Sequence, residues 1–191
     1  MTDIRTARLL LRPFVRSDAP AIAAMIGDPR VATMLADIAL PFDVSAAERW
    51  LKPAMGDIQL AIERGGGLIG GVSYHIYPRT TGVVGYWLGH VHWGHGYARE
   101  AAEAVIEKGF AQDRLMDFWS SHFIDNPASG RILTRLGFTP QSNMAIWCPA
   151  RQSNVEAIGY TLVREAAGHA PIKRHFADWL EVPSWRRWTG A

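Results

Sequence analysis

Gly94-His95-Gly96 is followed at once by Tyr97-Ala98-Arg99-Glu100-Ala101-Ala102, and this junction is where the chain could do chemistry. From Tyr97 to Phe110, residues Ala98, Ala101, Ala102, Val105, Ile106 and Phe110 fall on one stripe. Arg99, Glu103 and Glu107 lie opposite, so the segment reads as an amphipathic helix. The first turn of a helix leaves N–H groups without intrahelical partners at its partly positive end. Glycines let the backbone take φ > 0 and come close to a ligand. A Gly-x-Gly at a helix mouth is therefore a pocket suited to phosphate oxygens. Proton transfer needs other groups, and His75 and His122 carry imidazoles, the side chain most often used as a general base.

Several phosphate readings can be compared. No Lys-Ser/Thr follows Gly94-His95-Gly96, which excludes a P-loop NTPase. The third glycine of a dinucleotide fingerprint is replaced by Arg99, where helix–strand packing wants a small residue. A simple tight turn remains an alternative for any Gly-rich strand-to-helix link. The net charge of +2 gives no electrostatic case for nucleic acid. The single cysteine, Cys148, cannot form an internal disulfide, and no Cys/His spacing suggests a metal site. A reducing cytoplasm is the expected compartment. No stretch nears the ~20 apolar residues of a membrane span. At 191 residues, 48% hydrophobic and 20% charged, the chain can bury a real core.

The elements that must position these groups can be read in order. Ala7 to Val15 forms a short strand, and Ser17-Asp18 caps a helix over Ala19–Ile26. Ser45 caps a second helix, Ala46 to Met55, with Glu48 completing a capping box. Ile58–Arg64 and Leu68–Tyr77 are strands joined by a Gly65-Gly66-Gly67 turn. Val83–Leu88 is the strand that feeds the Gly94–Gly96 loop. Asp117–Ile124 is a further strand. Asn126, Pro127 and Gly137 have the chemistry of a helix cap, a first helical residue and a stop. Gln141–Trp147 and Ala157–Arg164 form a last hairpin around a polar loop, Cys148 to Glu156.

Three motifs together resemble the GNAT N-acetyltransferase superfamily. The first is Gly94-His95-Gly96-Tyr97-Ala98 between strand and helix. The second is Asn126-Pro-Ala-Ser129 opening a short helix that ends in Leu136-Gly137-Phe138. The third is Arg8-Leu-Leu-Leu-Arg12-Pro13 followed by Ser17-Asp18, similar to the opening of the branch that acetylates ribosomal-protein N-termini (RimJ/RimL-like). The resemblance covers about Arg5 to Arg164. It implies an α+β (α/β three-layer) fold. The sheet would be central, mixed and mostly antiparallel, with about six to seven strands and about four flanking helices. It would splay between the strand ending at Leu88 and the strand starting at Asp117. The acetyltransferase domain would span residues 1–165. Residues 166–191 would form a tail with Trp179, Trp185, Trp188, Arg186 and Arg187, packed on the domain or serving as a lid or homodimer contact.

The resemblance also implies the cofactor, acetyl-CoA, and the residues that hold it. Trp87, Leu88 and Gly89 would take the pantetheine arm, and Gly94, His95, Gly96, Tyr97 and Ala98 the pyrophosphate. Asn126 would hold the pantetheine or nearby backbone, and Ser129 would bond the thiol. Where the family often has a phosphate-binding Gln or Arg, this chain has Val91; where it often has a tyrosine acid, Leu133. With no glutamate on Val83–Leu88, His75 and His122 are the candidate bases, unless water does this work. The implied reaction is direct acetyl transfer to a primary amine, on a protein N-terminus or a small molecule. A non-catalytic acyl-CoA-binding module of the same fold is the alternative, and a nicotinamide-dinucleotide enzyme a distant third.

Overall fold

The computed structural model describes residues 3–51, 58–77 and 80–164. The tail from residue 165 and the expected end of the second helix lie outside the described residues. Two short strands open the chain, β1 (Ile4–Arg5) and β2 (Leu10–Pro13). Helices α1 (Ala19–Ile26), α2 (Pro29–Ala32) and α3 (Val44–Trp50) follow. Next come strands β3 (Ile58–Arg64), β4 (Gly67–Ile76) and β5 (Thr81–Leu88), then helix α4 (Tyr97–Ala111). Strand β6 (Asp117–Phe123), helix α5 (Pro127–Arg135) and strands β7 (Thr139–Cys148) and β8 (Ser153–Val163) complete it.

All eight strands share one sheet in the order β1-β2-β3-β4-β5-β6-β8-β7. That is one strand more than the upper expectation, because β1 lies ahead of the strand read over Ala7–Val15 and pairs back antiparallel on β2. Every neighbouring pair is antiparallel except β5 and β6. These two pair only at their starts, Thr81–Val83 with Asp117–Trp119. Beyond that point β5 stays with β4 as far as Leu88, and β6 stays with β8 as far as Phe123. Each strand keeps its outer partner, so the sheet opens into a V. The Ser120 hydroxyl donates to the Val84 carbonyl at 3.0 Å, at the apex.

The stripe on α4 buries as its spacing predicts, with Ala101, Ala102 and Val105 fully enclosed. It packs with Leu60, Ile62, Tyr74, Val84 and Phe118 on one side of the sheet. The opposite side carries α1, whose Ile22 and Ile26 are fully buried, with Trp87 and Phe14. Among the described residues no helix is long and apolar enough to cross a membrane.

Three expectations need correction. Asp43, not Ser45, caps α3, accepting from the Ala46 N–H at 2.8 Å; its longer reach back to that N–H wins over a serine already inside the helix. Glu48 is drawn instead to Arg16 at 3.1 Å. The polar segment Cys148–Glu156 is mostly strand, leaving residues 149–152 as the turn. Residues 153–156 of β8 pair on one side with the edge strand β7, past the last β6 partner at Ala157, so polar side chains are tolerated there and the sequence carries no alternation to reveal the strand.

The third correction concerns Asp18. Its carboxylate makes no cap bond to α1. It accepts from both terminal nitrogens of Arg12, at 2.8 and 3.0 Å, and from the Val15 N–H at 2.9 Å. Arg12 Nε donates to Glu63 at 2.7 Å, tying β2, β3 and the start of α1 into one cluster. Burial alone would raise the Asp18 carboxyl, but the bonds from Arg12 and Val15 outweigh it and the net shift is downward. A depressed folded-state pKa gives stability that is present above the unfolded value near 3.9 and lost as pH falls through the lower folded value. Asp18→Asn should therefore lower stability by about 2 kcal/mol at pH 7. Thermal melts should show the gap to wild type closing as pH drops below about 4; a constant gap would mean the carboxylate's charge is irrelevant.

Candidate active site

β5 ends at Leu88 and a single tight turn over His90–His92 leads to two left-handed glycines, Gly94 and Gly96, both at φ +80. Gly96 caps α4 with no side-chain bond, and the first return bond runs from the Glu100 N–H to the Gly96 carbonyl at 3.1 Å. The N–H groups of Tyr97, Ala98 and Arg99 are thus the unpaired donors of the first helical turn, and they open onto the V.

A brace holds this loop from behind. Arg8 Nη1 donates to the His95 carbonyl at 2.9 Å, and its Nε and Nη2 both reach Glu100 at 2.7 Å. The Arg8 guanidinium lies 4.7 Å over the Tyr97 ring, with Arg64 on the same ring at 5.1 Å. His95 stacks on Tyr97 with centroids 5.4 Å apart. Thr6 adds a hydroxyl bond to Glu100 at 2.6 Å. Arg8 belongs to a family-like opening in the sequence, with no local reason for it; its partners lie 87 and 92 residues away.

The other wall of the V begins at α5. Asn126 Oδ1 caps the helix by accepting from the Ser129 N–H at 3.2 Å, as its residue type predicts. Ser129 Oγ lies 2.9 Å from the Tyr86 hydroxyl. Tyr86 was not singled out from the sequence. Period-two alternation along β5 could have put it on the side of the sheet that α5 covers, had the pairing been known.

Strand register sorts the remaining candidates. Val84, Tyr86, Phe118 and His122 face α4 and α5, while Val83, Trp87, Trp119 and Phe123 face the other way. His122 is buried, with Nδ1 donating to the Phe123 carbonyl at 2.7 Å and Nε2 facing the Tyr160 hydroxyl at 3.3 Å. A Cβ on Gly130 would sit 2.6 Å from its Nε2, so the ring is wedged beneath α5. Both nitrogens are engaged, and the imidazole acts as a support under the segment that carries Ser129. His75 is paired across from Val83 and so shares its face, opposite to Ser129. The two histidines are not brought together.

A cleft of about 810 Å³ runs through the V. On one side it is lined by Gly94, Gly96, Ala98, Asn126, Ser129 and Ile132, on the other by Val31, Met34, Asp37, His75, Trp119 and Ile146. Tyr86, Trp87 and Leu88 form the passage between. Gly89 donates its N–H to Ile69 of β4 at 3.0 Å, so alternation turns the N–H groups of Tyr86 and Leu88 toward the open gap. Of the expected cofactor residues, Trp87, Leu88, Gly94, Gly96, Tyr97, Ala98, Asn126 and Ser129 line the cleft. Gly89 and His95 do not; they hold the backbone of the strand end and of the loop.

Residues 8–139 match the acetyltransferase (GNAT) domain family. The chain is 27% identical over 180 residues to the uncharacterised N-acetyltransferase p20 of Bacillus licheniformis, covering 88% of this chain and all of the relative. Its fold is similar to that of a GNAT-family acetyltransferase from Bacillus anthracis, with a TM-score of 0.77, 22% identity, and coverage of 86% of this chain and 100% of the other. It is also similar to RimL, a ribosomal L7/L12 α-N-protein acetyltransferase in complex with coenzyme A, with a TM-score of 0.73, 17% identity, and coverage of 85% and 98%.

Proposed function

The chain belongs to the GNAT acetyltransferase family, and from that premise we propose that it transfers the acetyl group of acetyl-CoA directly to a primary amine. The carrying observation is that the cleft passes through the sheet, with a helix N-terminus on one side and a mainly apolar chamber on the other. Two reactants can enter from opposite faces and meet between β5 and β6.

The residues present fit acetyl-CoA. Gly94 and Gly96 and the first-turn N–H groups of α4 offer donors to a pyrophosphate. The Tyr86 and Leu88 N–H groups turned into the gap can meet the amides of an extended arm, as a neighbouring strand would, and polarise a carbonyl. Acetyl-CoA supplies an activated acyl group on a thiol leaving group. Cys148 is fully buried behind Phe123 and Ile146 and does not itself line the cleft, which supports direct transfer over an acyl-cysteine. His75 lines the acceptor side, which supports it as the base that takes the proton the amine must lose.

The acceptor side, with Val31, Met34, Trp119 and Ile146, suits an amine attached to an apolar group. Asp37 in the same lining offers a carboxylate to an ammonium. An N-terminal peptide amine meets this description, and the structural likeness to RimL puts it first among the acceptors to try. The segment carrying Met34 and Asp37 is clamped to the β7–β8 turn. Arg151 donates to the Thr33 carbonyl at 2.7 Å and to Asp125 at 2.5 Å.

The test is thermal unfolding with acetyl-CoA, with NADH as control. Ligand at a hundred times its Kd adds about 2.7 kcal/mol, a Tm rise of roughly 5–10 °C for a domain of this size. A rise with acetyl-CoA alone is expected, followed by amine-dependent thiol release with N-terminal peptides. Stabilisation without any amine-dependent release would favour an acyl-CoA-binding module; no stabilisation would remove the cofactor assignment.

A further inference from the structure

Tyr86 is the second hydroxyl at the point where the cleft narrows, and nothing in the family motifs led to it. Its oxygen lies 2.9 Å from Ser129 Oγ and 3.4 Å from the Ser129 carbonyl. The position where the family often carries a tyrosine acid is Leu133, fully buried in the core. A tyrosine hydroxyl therefore still reaches this region, but from β5 rather than from α5. We propose that Tyr86 is a positioning residue: it donates its hydroxyl proton to Ser129 Oγ and so directs the Ser129 proton at the sulfur of the departing thiol. This rests on the acetyltransferase reading given above.

The geometry leaves few other arrangements. Ser129 is fixed at its backbone, where its N–H donates to Asn126. Its hydroxyl can donate one proton and accept through its oxygen. If Tyr86 donates, the Ser129 proton is free to turn into the cleft; if Ser129 donates, no proton faces the sulfur. Burial raises the Tyr86 pKa well above its ordinary value, and nearby Tyr160 adds to this against the bond to Ser129. The phenol thus stays protonated and serves as a donor throughout the neutral range.

The roles balance without a further reagent. The C–N bond forms as the C–S bond breaks, and the amine proton leaves to a base on the acceptor side. The electron pair of the broken bond stays on sulfur. A buried phenol is a much weaker acid than a thiol, which has an ordinary pKa of about 8.5, so the pair does not protonate the leaving group. Ser129 holds the thiolate by a charge-assisted hydrogen bond, and the thiolate takes its proton from water on release.

Tyr86→Phe should lower kcat about tenfold, the scale of one hydrogen bond formed as charge develops. KM for acetyl-CoA should stay within about twofold, because the bond is not to the bound ground state. Ser129→Ala should lose at least as much, and the double variant no more than Ser129→Ala alone. Acetyl-CoA should raise the Tm of Tyr86→Phe as much as that of wild type. If Tyr86→Phe keeps wild-type kcat, or if the two losses multiply in the double variant, the proposal is wrong while the acetyltransferase reading stands. If wild type itself neither gains stability from acetyl-CoA nor releases thiol, that reading fails and takes this one with it.

Discussion

Replacing His75 with alanine should lower kcat by about a hundredfold or more, the range that a positioned general base contributes. The argument is one of side and register. His75 pairs across from Val83, on the face of the sheet opposite to α4 and α5, and lines the chamber that also holds Asp37. Ser129 and the glycine loop lie on the other face, where the thiol must leave. A base on one side of the gap and a leaving-group donor on the other suit direct transfer, because the amine adds over one face of the planar carbonyl while the sulfur stays beside Ser129. The acetyl-CoA-induced Tm rise should survive in His75→Ala, separating lost chemistry from lost binding. A kcat within threefold of wild type would hand the base role to water. His122→Ala should behave differently. That ring supports α5 against Gly130, so its loss should show in stability as well as rate.

Gly96→Val should abolish the acetyl-CoA-induced Tm rise and raise KM for acetyl-CoA about a hundredfold, equivalent to losing two charge-assisted hydrogen bonds. Gly96 sits at φ +80, a conformation a β-branched residue reaches only at a cost of about 1–3 kcal/mol. Its Cβ would lie 3.5 Å from Arg8 Nη2, an ordinary contact, so the cost lies in the backbone. Relaxing that φ turns the first-turn N–H groups of α4 out of their present orientation. Gly65→Val is the control. Gly65 is also left-handed, at φ +59, but lies in the β3–β4 turn away from the cleft. It should lose stability and keep its KM. If both variants kept full cofactor affinity, the loop would be a turn and nothing more.

Much of the cofactor side was legible from residue types alone, since its signals are local. Left-handed glycines, an Asn that caps through its own side chain three residues on, and a stripe of alanines each announce a conformation within one turn of chain. The acceptor side was far less so. Val31 to Phe42 shows no clear period, and Met34, Asp37 and Ile146 share one lining through contacts between distant segments, such as Arg151 with the Thr33 carbonyl and Ala36 against the cluster that holds Ile146 and Cys148. Asp18 illustrates a local signal that misleads. Its type and place suit a helix cap, but Arg12 offers two charged donors and takes the carboxylate.

The family resemblance, the glycine loop ahead of a helix, the meander β3–β4–β5 and the order of the motifs were readable from residue types alone. These depend on dihedral preference, periodicity and capping, which act over a few residues. Three-dimensional pairing was needed to see that β5 and β6 part after three residue pairs, that His75 and Ser129 occupy opposite faces, and that Tyr86 bonds Ser129 across 43 residues of chain. Those outcomes follow from which strand keeps which neighbour. A one-residue change of register would turn every side chain on β5 to the other face, and that register is set by pairing partners that no local stretch of sequence contains.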